Sequence, residues 1–126
     1  MEINFQDISP RERYKLLSST IIPRPIALVS SRGLDGVDNA APYSFFNVFS
    51  EDPPIVILGL QNKDDGSPKD TTRNILETSE FVVNLIDRKM AEAMNNCAVD
   101  FPPEVSEFDI TGLSRAPCKL IGANRI

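Results

Sequence analysis

The sequence predicts a mainly β fold with short helices, of the α+β class, in the form of an antiparallel β-barrel. Several short runs of β-branched and aromatic residues are separated by turn residues, and helix-start signals fall between them. No glycine-rich dinucleotide fingerprint follows any of the predicted strands. An antiparallel barrel with helical decoration is therefore favoured over a doubly wound parallel sheet.

The first half of the chain carries one helix signal and one hairpin signal. In Ser9-Pro10-Arg11-Glu12, serine can cap a helix, proline suits its first position and glutamate can close a capping box. We expect a short helix that ends before Pro23. Residues 26–30 predict a strand, and the glycines and aspartate of residues 32–36 predict a hairpin turn into a strand over residues 39–50.

The second half alternates apolar runs with helix starts. We expect a buried strand over Ile55–Leu60, a polar loop over Gln61–Pro68 and a helix beginning at Asp70 or Thr71. A fourth strand over Phe81–Ile86 and a helix capped by Asp87 should follow. Residues 100–117 are expected to be irregular with at most short turns, and Lys119–Ile121 to be strand-like.

Length and charge limit the domain count and the partners. The 126 residues fit one domain, residues 1–126. A formal net charge of −5 argues against nucleic acid, whose binding depends on concentrated lysine and arginine. The apolar runs are too short for a membrane span, and the N-terminal segment is acidic rather than a basic signal peptide. We expect a cytoplasmic protein without a membrane partner.

The absence of histidine removes several kinds of chemistry. Without it, Ser-His and Cys-His nucleophilic machinery cannot form, and the commonest metal ligand is missing. Cys97 and Cys118 lie far apart and outside any CxxC spacing, so we expect free, buried thiols and no metal site. An enzyme of this composition must use its carboxylates or an organic cofactor.

The segment Asn39–Asn47 mixes aromatic, small and polar side chains. On an extended strand, Tyr43, Phe45 and Phe49 would share one side. Small residues would let a flat ligand approach the backbone, and polar residues would hydrogen-bond it. An ordinary core strand with polar ends explains the same residues equally well. The small and polar residues concerned are Asn39, Ala40, Ala41, Pro42, Ser44, Asn47 and Ser50.

Lys69-Asp70-Thr71-Thr72 stands at a predicted helix start. Unpaired backbone N–H groups and the helix dipole favour an anion there, and a lysine and two hydroxyls could add contacts to phosphate. The alternative, capping by Asp70 beside a solvated lysine, is favoured when this segment is taken alone. Asp70 is expected to be a structural cap or a partner for a ribityl hydroxyl, since its charge would repel phosphate.

Arg24 lies between two prolines, directly before a predicted strand. The rigid backbone reduces the entropy lost when its guanidinium fixes an anion. A surface ion pair is the equally weighted alternative.

Asn84 interrupts an otherwise apolar predicted strand. Its amide must find a buried partner or line a polar cavity.

Five short motifs occur in one order along the chain. They are Ile22-Pro23-Arg24-Pro25-Ile26-Ala27, Asn39-Ala40-Ala41-Pro42-Tyr43-Ser44-Phe45-Phe46-Asn47, Asp52-Pro53-Pro54, Lys69-Asp70-Thr71 and Glu80-Phe81-Val82-Val83-Asn84-Leu85. Together they resemble the flavin reductase-like family, which has an FMN-binding split β-barrel. The resemblance runs from about Leu17 to the C-terminus, and its specificity lies in the five motifs standing in register.

The resemblance implies a homodimer that binds FMN near the subunit interface. The isoalloxazine would lie against Asn39–Ser44, with the phosphate toward Lys69–Thr72. NADH or NADPH would supply a hydride, and a small-molecule or protein acceptor would take the electrons. No side chain is assigned a catalytic role, because backbone N–H groups and dipoles can stabilise an anionic reduced flavin. The predicted cofactor-binding residues are Arg24, Asn39, Ala41, Pro42, Tyr43, Ser44, Asn47, Lys69, Asp70, Thr71 and Thr72.

Two other functions are compatible with the same residues. One is an FMN-binding electron carrier without nicotinamide activity, and the other is a cofactor-free dimerisation domain. Family members commonly continue beyond this length, and Asn124-Arg125-Ile126 resembles the start of a strand. The resemblance thus implies a split barrel incomplete at its C-terminus, unless a partner subunit closes the edge.

Overall fold

The computed structural model describes residues 2–126 and contains four α-helices and seven strands. A single 3₁₀ turn, Arg88–Met90, precedes the third helix. The helices are α1 (Pro10–Thr20), α2 (Asp70–Thr78), α3 (Ala91–Asn96) and α4 (Glu107–Thr111); the strands are β1 (Ala27–Arg32), β2 (Asp38–Tyr43), β3 (Phe46–Glu51), β4 (Pro54–Leu58), β5 (Val82–Leu85), β6 (Ala116–Pro117) and β7 (Asn124–Arg125).

The strands of residues 2–126 form three antiparallel sheets rather than a closed barrel. The largest has the order β2-β1-β5, and β3–β4 and β6–β7 are two-stranded. In the largest sheet, Val29 of β1 lies opposite Ala41 on one side and Val83 on the other. The predicted antiparallel pairing is therefore confirmed, whereas barrel closure is not seen within these residues.

The apolar core lies around the central strand β1. Leu28 packs in a buried cluster with Ala40, Cys97 and Phe108. Both cysteines are free as predicted, although Cys118 is only half-buried. Within residues 2–126, every helix is too short or too polar for a membrane-spanning segment.

The predicted starts of the first elements are confirmed. The Ser9 side chain accepts from the Glu12 backbone N–H, while the Glu12 carboxylate accepts from the Ser9 N–H, so both bonds of the capping box form. The hairpin turn falls between β1 and β2, as the two glycines indicated. Asp87 caps the 3₁₀ turn before α3 by accepting from two backbone N–H groups.

The single strand expected over residues 39–50 was wrong: the structure divides it in two, and a contact from Gly59, further along the chain, lies at the break. Ser44 and Phe45 separate β2 from β3, which belong to different sheets. The Gly59 N–H donates to the Phe45 carbonyl at 2.7 Å. A Cβ on Gly59 would lie 2.8 Å from the Phe45 Cβ, so this close approach requires glycine.

The C-terminal expectations were also wrong in two places. The stretch 100–117 contains α4, which buries Glu107 and Phe108 and ends at Gly112 with φ of 70°. Lys119–Ile121 forms no strand, and the pairing instead joins β6 to β7. The last three residues do begin a strand, since β7 covers Asn124–Arg125.

A polar network holds α4 against β2. The buried Asp38 carboxylate accepts from Arg115 Nε at 2.8 Å and from the Asn124 amide. Arg115 also donates to Asp109 and to the Ser106 hydroxyl. The network fixes the start of α4 because Ser106 and Asp109 flank Glu107.

Asn84 joins two strands and the C-terminal residue through its buried amide. Its Nδ2 donates to the Leu28 carbonyl and to Ser30 Oγ, both at 3.0 Å, and its Oδ1 accepts from the Ile126 N–H at 2.9 Å. Of the two sequence-based alternatives, the buried partner is confirmed. The amide thus connects β5 to β1 and to the residue that follows β7.

We expect Asn84→Ala to lower the free energy of unfolding by about 1–3 kcal/mol, because buried polar groups lose their partners. Urea denaturation measures this change. Asn96→Ala is the matched control, since Asn96 is exposed on α3 and its substitution should change stability by about 0.5 kcal/mol or less. Equal losses in the two variants would contradict the role assigned to Asn84.

Candidate ligand-binding site

A partly open cavity of about 180 Å³ lies beside the end of β2. Its walls come from β2 and the Ser44–Phe45 break, the N-terminus of α2, the end of α3 and the start of α4. The lining residues are Tyr14, Asn39, Ala41, Pro42, Tyr43, Ser44, Phe45, Gly59, Gln61, Lys69, Asp70, Thr71, Cys97, Ala98, Val99, Asp100, Phe101 and Glu107.

Strand periodicity explains the contribution of β2. Asn39, Ala41 and Tyr43 alternate along the strand and all line the cavity, whereas Ala40 between them is fully buried in the core. Over residues 39–41 the strand therefore gives one face to the core and the other to the cavity, and at its end Pro42 lines the cavity as well. The core-strand interpretation is confirmed for Ala40, and the ligand wall stays a prediction for the residues that line the cavity.

The far end of the wall is held by Arg24, which does not line the cavity. Its guanidinium donates to Ser44 Oγ at 3.3 Å and to the carbonyls of Ser18 and Ile21 at the end of α1. It also lies 5.7 Å from the centroid of the Phe45 ring. Among residues 2–126, Arg24 has no carboxylate at ion-pair distance, so the surface ion pair was wrong. Arg24 positions Ser44 and Phe45.

Asn47 also lies outside the cavity. It is an exposed residue of β3, and its side-chain oxygen accepts from the N–H of Val48.

The N-terminus of α2 opens on the cavity without a side-chain cap. Lys69 is the N-cap residue and makes no capping hydrogen bond through its side chain. Asp70 is the first helical residue, and its carboxylate pairs with Arg73 Nη1 at 2.8 Å. Capping by Asp70 was therefore wrong. The first-turn N–H groups of α2 remain suited to an anion.

Lys69 also lines the cavity, paired with Asp100. The Lys69 Nζ lies 3.0 Å from Asp100 Oδ1, and the carboxylate is largely exposed. Such an exposed pair is worth about 0.2–1 kcal/mol. An incoming anion can replace Asp100 as the partner of the ammonium group at small cost.

The two threonines of the helix start have different environments. Thr71 is buried, lines the cavity and accepts from Asn39 Nδ2 at 2.8 Å. Burial is the main cause that raises the pKa of the Tyr43 phenol, and the neighbouring Thr71 hydroxyl opposes the shift. The Thr72 hydroxyl is buried outside the cavity lining and has no hydrogen-bond partner among residues 2–126.

Glu107 supplies a carboxyl group that sequence analysis did not assign to the site. It is 7% exposed and its Oε2 accepts from the Ala40 N–H at 3.0 Å. Burial raises the pKa of Glu107; the hydrogen bond from Ala40 opposes this shift, and the charge of Asp70 adds to it. The carboxyl therefore holds a proton more readily than an exposed glutamate does.

Other lining residues come from segments that the sequence placed elsewhere. Tyr14 comes from α1, and its ring lies 5.7 Å from Phe45, centroid to centroid. Gln61 and Phe101 come from segments with no regular structure. No short-range pattern marks them, because the tertiary fold alone brings these segments to β2.

Comparison with known proteins places this geometry in a family. A family model described as a flavin reductase like domain matches residues 18–122. The chain is 42% identical over 121 residues to an uncharacterised protein of Halalkalibacterium halodurans, covering 96% of this chain and 58% of that protein. The chain thus spans less than two thirds of the length of this relative.

Two solved structures are similar to this chain in sequence and fold. Nitrilotriacetate monooxygenase component B from Bacillus cereus has 38% identity and a TM-score of 0.92, over 99% of this chain and 61% of that one. Pseudomonas fluorescens 2-nitrobenzoate 2-nitroreductase has 38% identity and a TM-score of 0.85, over 99% and 59%.

A third structure, from Shewanella frigidimarina, is described as a flavin reductase with a split barrel domain. It has 18% identity and a TM-score of 0.80, over 99% of this chain and 62% of that one, and shows the fold alone. The family match and the shared fold identify this chain as a member of the flavin reductase-like family with a split-barrel fold.

Proposed function

We propose that this chain binds FMN and passes a hydride from NADH or NADPH through the flavin to an acceptor. One observation carries the proposal: a single cavity joins a wall of aromatic, small and polar side chains to an uncapped helix N-terminus with a lysine. A flat ring with a charged tail requires both parts.

The side chains present suit each part of FMN. Ala41, Pro42 and Tyr43 offer a wall of small and aromatic groups for the ring, and Asn39 and Ser44 offer hydrogen-bonding groups. Lys69, Thr71 and the first turn of α2 would hold the phosphate. When bound, the flavin supplies the hydride-accepting chemistry, and the chain binds and orients it.

Two relatives support a redox role. The Bacillus cereus structure is a monooxygenase component and the Pseudomonas fluorescens structure is a nitroreductase. Both names describe proteins of redox chemistry. For this chain the acceptor is proposed as a small molecule or a protein partner.

The direct test is the visible spectrum of the purified protein after incubation with FMN and desalting. We expect a structured flavin band, which NADH or NADPH bleaches under anaerobic conditions within seconds. A band that only a protein donor bleaches would instead indicate an electron carrier. A colourless protein would overturn FMN binding and favour a cofactor-free domain.

The two threonines of α2 provide a matched pair of variants. Thr71→Val removes a hydroxyl that lines the cavity and leaves the buried Asn39 amide without its partner. We expect weaker FMN binding and lower stability, each by about 1–3 kcal/mol. Thr72→Val replaces a buried hydroxyl that makes no bond, so FMN affinity should be unchanged and stability should be equal or higher. Fluorescence titration with FMN and urea denaturation measure the two effects.

Equal weakening of FMN binding in the two variants would contradict the proposed phosphate position. An unchanged dissociation constant for Thr71→Val would place the phosphate elsewhere. A loss of stability without a loss of FMN affinity would limit Thr71 to a structural role.

We also propose that the protein is a homodimer whose partner completes the FMN site. The cavity volume of about 180 Å³ is below the range of about 300–1,000 Å³ typical of pockets that enclose a ligand of drug size. The β3–β4 hairpin begins directly after Phe45 and ends directly before Gly59, both of which line the cavity. On the hairpin, Val48 is 67% and Phe49 74% exposed. A second copy on this apolar surface would lie beside the cavity.

Sedimentation analysis tests this assembly. We expect a dimer for the unaltered protein and a shift toward monomer for Phe49→Lys, because a charge would be buried in the interface. Leu76→Lys is the matched control, since Leu76 is 75% exposed and its helix α2 packs against β1 and β2. A monomeric unaltered protein, or equal dissociation of both variants, would contradict the proposal.

A further inference from the structure

Glu107 is the acidic group of the cavity that has no cationic partner among residues 2–126. Its Oε2 accepts one backbone N–H, from Ala40, and no lysine or arginine lies within ion-pair distance. The residue lines the cavity although it is 7% exposed. An ionised carboxylate here would keep little of its hydration and gain one hydrogen bond.

The other charges around the cavity are paired with each other. Lys69 faces Asp100 across the opening, and on α2 the Asp70 carboxylate faces Arg73. The Asp100 carboxylate that Lys69 would release to an anion is largely exposed and stays hydrated, so Glu107 is the buried group whose protonation decides whether the anion meets an uncompensated negative charge. The titratable groups that face Glu107 from other elements are Tyr43 of β2 and the thiol of Cys97, which follows α3. Near α4 itself, the carboxylates of Asp38 and Asp109 are paired with Arg115.

None of these neighbours carries a positive charge that could balance an ionised Glu107. Burial raises the pKa of Tyr43 and of Cys97, so both stay neutral near pH 7. The carboxylate of Asp70 repels the ionised form of Glu107. The same desolvation favours the protonated form before any ligand arrives. An anion that enters the cavity adds repulsion and excludes more water, so it favours that form further.

We propose that Glu107 is protonated when an anionic ligand occupies the cavity, so that ligand binding is coupled to proton uptake by this carboxyl group. The proton comes from solvent, and the carboxylate becomes a neutral carboxylic acid. The choice of ligand rests on the proposed function, in which the anion is the phosphate of FMN. Glu107 takes no part in the hydride transfer; its protonation state sets the charge of the cavity.

The coupling has a defined direction. At low pH the carboxyl is protonated before and after binding, and affinity does not depend on it. As the pH rises through the pKa of Glu107 in the ligand-free protein, binding must restore the proton, and affinity falls by up to about tenfold per pH unit. The phosphate of FMN also titrates, so only the difference from a variant without the carboxyl isolates this effect.

Calorimetric titration with oxidised FMN tests the coupling. Measurement in buffers of different ionisation enthalpy gives the number of protons taken up at each pH. We expect the unaltered protein to take up as much as one proton more per FMN than Glu107→Gln, and its affinity relative to the variant to fall with pH. Glutamine keeps an oxygen that can accept from the Ala40 N–H. Glu104→Gln, at an exposed position three residues earlier, is the control and should match the unaltered protein.

Each outcome has one meaning. Equal proton uptake and equal pH dependence in the unaltered protein and Glu107→Gln, with FMN bound by both, would overturn the coupling and leave the proposed function standing. Failure of both to bind FMN at any pH would overturn the proposed function and this inference with it.

If Glu107→Gln does not fold, a second measurement tests proton uptake by Glu107 in the unaltered protein. In unaltered protein labelled with ¹³C-glutamate, infrared difference spectra should gain a protonated-carboxyl band when FMN is added. Absence of that band with FMN bound would overturn the inference.

Discussion

The pairing of β2 with β1 is the constraint on which the fold and the site both depend. It fixes the register at which Ala40 enters the core, and the period of two then turns Asn39, Ala41 and Tyr43 toward the cavity. A slip of one residue would exchange these faces and place polar groups in the core. Packing of α2 and α4 against the same sheet brings Thr71 and Glu107 to the wall that β2 provides.

The site combines a rigid wall with a loosely held charge. The wall is fixed by the buried bond from Asn39 to Thr71 and by Arg24, which ties Ser44 to the end of α1. Lys69, in contrast, is held by an exposed carboxylate that a ligand can displace. The arrangement suits a ligand whose flat part needs fixed geometry and whose charged part needs an available cation.

Local signals predicted the elements, and long-range contacts decided the rest. The capping box at Ser9, the helix start at Asp70 and the mixed character of Asn39–Ser44 are encoded within a few residues, so the sequence predicts them. The break after β2 depends on Gly59, and the burial of Glu107 depends on α4 packing against β2. These contacts join positions far apart in the chain, and no periodicity signals them.

Backbone amide chemical shifts during an FMN titration test the central claim most directly. If FMN occupies the cavity beside β2, the largest changes will fall on the amides of Ala41, Ser44, Thr71 and Ala98, all of which line the cavity. Changes confined to β6, β7 or the exposed face of α1, with the amides of the cavity unaffected, would contradict the account.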